Sequence, residues 1–221
     1  AAIAAKGQNT KVILGDLLER GDHVALVTPI DSSAPKGRMI LPQVQAIRDI
    51  LDAGATCSVT QVEELAGVLS GLKTPPKLVV TDSQAFGKVK QIVPESIKLT
   101  SVSILFARYK GVLETAVRGA AAIENLKAGD RILISEGCTH HRQCGDIGTV
   151  KLPAWIRKHT GKDFEFEFTS GGGFPEDLSP YALIVHCGGC MLNEREMQFR
   201  QSSAEEKGVP YTNYGILIAY I

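Results

Sequence analysis

Five cysteines (Cys57, Cys138, Cys144, Cys187 and Cys190) and five histidines are this chain's candidates for metal or redox chemistry. Spacing picks out two groups. Glu136-Gly-Cys138-Thr-His140 is one, and His186-Cys187-Gly-Gly-Cys190 is the other. A CxxC pair serves a dithiol–disulfide couple, a structural zinc or an iron–sulfur cluster. A thiol–disulfide oxidoreductase using Cys187 and Cys190 would leave Cys138, His140 and His186 without a task. Three thiolates separated by glycines suit iron–sulfur ligation, because soft sulfur ligands hold zinc or iron–sulfur clusters. Gly188 and Gly189 leave room for bulky sulfides and offer backbone N–H groups. A zinc module using a Cys3His set stays open on spacing alone.

Three such thiols are useful only if the fold brings them together. Near-continuous apolar runs alternate with helix-length amphipathic stretches almost to the end. His23–Thr28, Ala55–Gln61, Lys77–Asp82 and Lys98–Leu105 read as strands, with helices at Leu41–Ala53, Val62–Leu72 and Ser83–Val93. The pattern restarts after Tyr109. Strands are expected at Asp130–Glu136, Asp163–Thr169, Ala182–His186 and Pro210–Asn213, and helices at Gly111–Leu126, Pro153–His159 and Asn193–Lys207. The fold class is therefore α/β: two small domains, 1–100 and 101–221, each a mainly parallel β-sheet flanked by helices. In a parallel sheet all strand exits lie along one edge. Cys138 follows one strand of the second half and Cys187 another, so topology should deliver both to one crevice. Asn193 is a good N-cap, which sets the CxxC just before a helix N-terminus, where negative charge is stabilised.

Composition excludes several alternatives. Lys plus Arg equals Asp plus Glu, 24 against 24, so no basic field points to nucleic acid. No apolar run approaches the roughly 18 residues of a membrane span. The odd cysteine count and a first segment unlike a signal peptide argue against a disulfide framework, and the expected location is cytoplasmic. The abrupt apolar end at Gly215–Ile221 reads as a fragment of a longer protein.

Cys138-Thr-His140, then 45 residues (141 to 185), then His186-Cys-Gly-Gly-Cys190 resembles the CxH…HCxxC signature of HydF, the maturation-factor family of FeFe hydrogenases. Four further segments resemble the same family: Val27–Arg38, Ile104–Gly111, Asp146–Pro153 and Gly208–Gly215. The resemblance implies a GTPase domain, a dimerisation domain and a cluster-binding domain. No GxxxxGK followed by Ser or Thr occurs here, and Pro35–Arg38 lacks both the spacing and the Mg-binding hydroxyl. GTP hydrolysis therefore does not carry over, and the expected protein is a scaffold or carrier with no catalytic residues. Residues 1–100 resemble the dimerisation domain and 101–221 the cluster domain.

What the resemblance further implies is a 4Fe–4S cluster on Cys138, Cys187 and Cys190. It also implies transient binding of a diiron subcluster precursor, made by other maturation enzymes and delivered to apo FeFe-hydrogenase. The fourth iron position falls to His140, His186, Glu136 or water. A homodimer through residues 1–100 follows from the resemblance, and also from the need of a four-stranded sheet to cover its edge. Cys144 lies outside the motif and reads as a spectator. Cys57 reads as a small core hydrophobe in its strand, and His141 and His159 as surface residues. Lys36 and Arg38 read as loop surface. Glu165 and Glu167 alternate with phenylalanines as on a half-exposed edge strand.

Overall fold

The computed structural model describes residues 11–30, 39–137, 146–189 and 192–221. The first half builds β1 (His23–Val27), α1 (Leu41–Asp52), β2 (Thr56–Thr60), α2 (Leu65–Gly71), β3 (Leu78–Thr81), α3 (Phe86–Ile92), β4 (Lys98–Ser101) and α4 (Val102–Tyr109). The second builds α5 (Leu113–Ala121), β5 (Arg131–Glu136), α6 (Leu152–Thr160), β6 (Glu165–Ser170), β7 (Leu183–His186), α7 (Glu194–Glu206), β8 (Tyr211–Asn213) and α8 (Tyr214–Tyr220). Each half has one four-stranded parallel sheet, ordered β2-β1-β3-β4 and β6-β5-β7-β8. The two sheets share one strand order.

Burial follows that order. The inner strands β1, β3, β5 and β7 are apolar and buried nearly throughout. Fully burying such a side chain contributes about 1.5–3 kcal/mol. The outer strands β2 and β6 alternate and face solvent on one side, as expected for Glu165 and Glu167. In the first sheet Val24, Leu26 and Leu78 pack under α1 and α4, while Ala25, Val27 and Val79 pack under α2 and α3. In the second, Ile132, Ile134 and Val185 pack under α5 and α6, and Leu133, Ile184 and Tyr211 under α7.

Two expectations change. The strand expected over Lys98–Leu105 stops at Ser101, and the apolar run after it is α4. The Ser101 hydroxyl accepts the Ile104 N–H at 3.3 Å, an N-cap that turns the chain. Val102, Leu105 and Phe106 are then buried at helical spacing against the first core, while Ala107 joins the second. The helix expected over Gly111–Leu126 is shorter, α5 ending at Ala121 with a 3-10 turn over Ala122–Asn125. The terminal apolar stretch, given no element above, is α8. Asn213 caps it by accepting the Ile216 N–H at 2.8 Å. No described helix is long and apolar enough to cross a membrane.

Candidate metal centre

In the second sheet the strand order reverses between β5 and β7, so the connections leaving their C-terminal ends diverge and open a crevice where α/β sheets bind ligands. Both thiol motifs begin at that point. Ser135 pairs with His186 in the ladder, and the Cys187 N–H continues it by donating to the Ser135 carbonyl at 2.9 Å. One residue on, the Gly137 N–H donates to Cys187 Sγ at 3.0 Å. The Gly189 N–H donates to the same sulfur at 3.3 Å. Cys187 is buried, with its sulfur held by backbone donors from two strand exits. Cys138 follows Gly137 directly and Cys190 follows Gly189 directly. Cys138, Cys190, His140, His141, Cys144, Lys36 and Arg38 lie outside the described residues. Among the described residues, no three His, Cys, Asp or Glu side chains form a metal-holding group.

The thiol loop is shaped from below. Gly189 has φ +59°, a left-handed conformation that favours glycine, and a Cβ there would lie 2.4 Å from the Met197 sulfur of α7. Asn193 caps α7 as expected, accepting the Glu196 N–H at 2.8 Å. Lys110, in the turn after α4, is buried and donates through Nζ to the carbonyls of Gly188 (3.4 Å) and Gly189. A buried ammonium therefore lies against the loop between Cys187 and Cys190. Sequence reasoning missed it, although Lys110 stands in the Ile104–Gly111 segment.

Strand alternation sends His186 and Glu136 to opposite faces. His186 is fully buried beneath α7 and stacks on the Tyr211 ring, with centroids 5.9 Å apart. Its Nδ1 lies 2.7 Å from the Cys187 carbonyl and its Nε2 lies 3.1 Å from Arg200 Nη1. A guanidinium only donates, so the network assigns the proton to Nδ1 and leaves Nε2 as acceptor. Burial pushes the imidazole's pKa down to about 4, with the Arg200 and Lys110 charges acting in the same direction. Arg200 was not foreseen either. Tyr211 Oη is buried with no hydrogen-bond partner among the described residues, and burial, then the nearby Cys187, push its pKa up. On the other face Glu136 is buried and its Oε1 accepts the Tyr214 hydroxyl at 3.3 Å. Burial, then the Glu136 charge, push the Tyr214 pKa up.

The remaining candidates stand apart. Cys57 is half-buried on β2 against the first core, and burial pushes its thiol pKa up. His159 is exposed and pairs with Glu124 at 2.8 Å. A cavity of about 730 Å³ opens elsewhere, between α3, α6 and α8, lined by Lys88, Trp155, Lys158 and His159 among others. No cysteine is among its lining residues.

The fold and site define a two-domain α/β protein whose second sheet sets Cys187 at a topological switch point, bonded to the exit of the neighbouring strand. Two family models then account for nearly all of it. The hydrogen maturase F dimerization domain matches residues 13–111, and the hydrogen maturase F tetramerization domain matches residues 114–221. The chain belongs to the hydrogen maturase F family, and its role lies in hydrogenase maturation. No curated protein matches it.

Proposed function

We propose that this chain is an iron–sulfur carrier in hydrogenase maturation. It holds a 4Fe–4S cluster on Cys138, Cys187 and Cys190, accepts a diiron subcluster precursor as cargo, and releases it to apo FeFe-hydrogenase. The observation that supports this most is the Gly137 N–H bond to Cys187 Sγ, because it ties the residue before Cys138 to the sulfur of the second motif. The donor chemistry fits such a group. Backbone N–H groups directed at a sulfur stabilise negative charge on it, and the buried Lys110 offsets more of that charge. When bound, the cluster would supply an iron on which cargo can dock. The protein's own residues hold the thiols, exclude bulk water and fix the loop, so the role is that of a scaffold and not of a catalyst.

Self-association belongs to the same reading. Two domains whose family models are named for dimerization and tetramerization suggest a dimer built by the first domain and a dimer of dimers built by the second. Anaerobic reconstitution with iron and sulfide tests the carrier. Thiolate-to-iron absorption that bleaches with dithionite is the expected result. A colourless protein holding one zinc per chain would replace it with a zinc module. Failure to bind metal, together with reversible Cys187–Cys190 oxidation, would replace it with a thiol–disulfide oxidoreductase.

A further inference from the structure

We propose that Arg200 is the positioning residue of the thiol site: it occupies the free nitrogen of His186 and so keeps this histidine off the iron. The proposal rests on the carrier reading above and assigns its fourth ligand position to another donor.

Arg200 lies in the middle of α7 and is only 1% exposed. Its guanidinium is held on all sides. Nε donates to Glu196 Oε1 at 2.8 Å, Nη2 to the Gly171 carbonyl at 2.9 Å, and Nη1 to His186 Nε2 at 3.1 Å, with Ser135 Oγ at 3.5 Å. The group also stacks over the Phe174 ring, 5.1 Å from its centroid. These partners come from β5, β7, α7 and the connection between β6 and β7, so the guanidinium has one place to be.

The consequence for His186 is chemical. A neutral imidazole has one nitrogen lone pair available to a metal, on the nitrogen without hydrogen. Here that nitrogen is Nε2, and Arg200 already uses it. The other nitrogen, Nδ1, carries the proton and donates it to the Cys187 carbonyl. A chain of hydrogen bonds therefore runs from Glu196 through Arg200 and His186 to the main chain of Cys187. Through it α7 fixes the Cys187 loop, while the imidazole acts as a spacer between cation and loop. For His186 to bind iron, the Arg200 N–H must first leave, and the ring must turn out of a fully buried site beneath a stacked tyrosine. Glu136, across the sheet, carries no such restraint from Arg200.

Two measurements test this. Imidazole nitrogen NMR on the metal-free protein should show His186 as the neutral Nδ1–H tautomer, and Arg200→Met should lose that tautomer. An Nε2–H tautomer in the unmodified protein would overturn the proposal whether or not a cluster ever binds. Pulsed EPR of the reconstituted, reduced protein should show no nitrogen coupling that His186→Gln removes. Arg200→Met should gain such a coupling, and the Arg200→Met/His186→Gln double variant should lose it again at unchanged iron content. Arg200→Lys keeps a cationic donor and should retain the unmodified spectrum. A coupling already present in the unmodified protein and lost in His186→Gln makes His186 a ligand and overturns the proposal. Identical spectra for Arg200→Met and the unmodified protein would overturn it too. If the unmodified protein takes up no iron, the carrier reading fails, and the NMR result still decides the role of Arg200. The unmodified-protein arms decide it as well if Arg200→Met does not fold.

Discussion

The sulfur of Cys187 receives two backbone N–H groups at the end of a buried strand, and donors so placed stabilise negative charge on a sulfur. Removing it should therefore cost more than one coordination bond. Cys187→Ala should abolish stable cluster binding, as should Cys138→Ala and Cys190→Ala, each removing one of three motif thiols. Cys57→Ala, in the other sheet, should leave iron content unchanged, and so should Cys144→Ala. Iron analysis after anaerobic reconstitution reads all five, and loss of iron in Cys144→Ala would show the thiol set to be larger. Glu136→Gln should keep iron while altering the EPR signal of the reduced cluster, because a buried carboxylate sits across the sheet from the restrained His186. That Cys187 ends a buried strand beside the exit of another was legible from residue type and spacing alone. Arg200 and Lys110 were not. A basic residue in the polar run Glu194–Glu206 reads as a solvated face, and only the packing of α7 under the sheet buries Arg200. Lys110 meets its acceptors 78 and 79 residues further along the chain, a distance no local pattern reveals.

At the scale of elements, alternation of apolar runs with amphipathic stretches was enough to give all eight strands their places. It erred where an apolar run was short and its period ambiguous. Val102-Ser-Ile-Leu-Phe106 fits a buried strand as well as a helix, and the Ser101 cap together with two cores to contact decides for α4. Gly119 of α5 lies directly against β8. A Cβ there would lie 1.9 Å from the Tyr211 carbonyl oxygen of β8. Gly119→Ala must push α5 off the sheet and should destabilise the protein by about 3 kcal/mol, the upper end for overpacking. A urea midpoint indistinguishable from the unmodified protein's would mean that α5 sits higher than described. A second, weaker tie joins α4 to the turn before β1. Arg108 pairs with Asp16 and its side-chain hydrogen bonds hold that carboxyl below its ordinary value of 3.8. A lowered folded-state pKa adds stability that is fully present above the unfolded value and lost as pH falls through the folded one. The stability difference between the protein and Asp16→Asn should therefore shrink below pH 3.8, and remain small throughout because the pair is partly exposed. A difference that grew on acidification would contradict this.

At the scale of the whole molecule, the two halves repeat one strand order but divide the work. The second carries Cys187 at its switch point. Among the described residues the first reaches the loop after Cys187 through the buried Lys110, and it is further joined to the second half by Lys11 with Glu194 and by Lys151 with Gln84 at 3.1 Å. Assembly through the first half would therefore be felt at the thiol loop. The edge strand β2 offers the means. The Thr56 N–H and the Thr60 carbonyl face inward, bonded to Asp22 and Thr28, so in a parallel ladder Cys57 and Val59 turn their backbone groups outward. Val59 is also 49% exposed. An edge that no described strand covers can pair with another strand, and a two-fold axis would set two copies of β2 antiparallel. Val59→Pro tests the arrangement, because proline there deletes an outward donor while leaving the ladder to β1 intact. Light scattering should then report half the assembly mass of the unmodified protein, with iron uptake by the second half preserved. An unchanged mass would place the first domain's contact elsewhere than β2. Loss of iron uptake together with mass would show that Lys110 transmits more than the separate cores suggest.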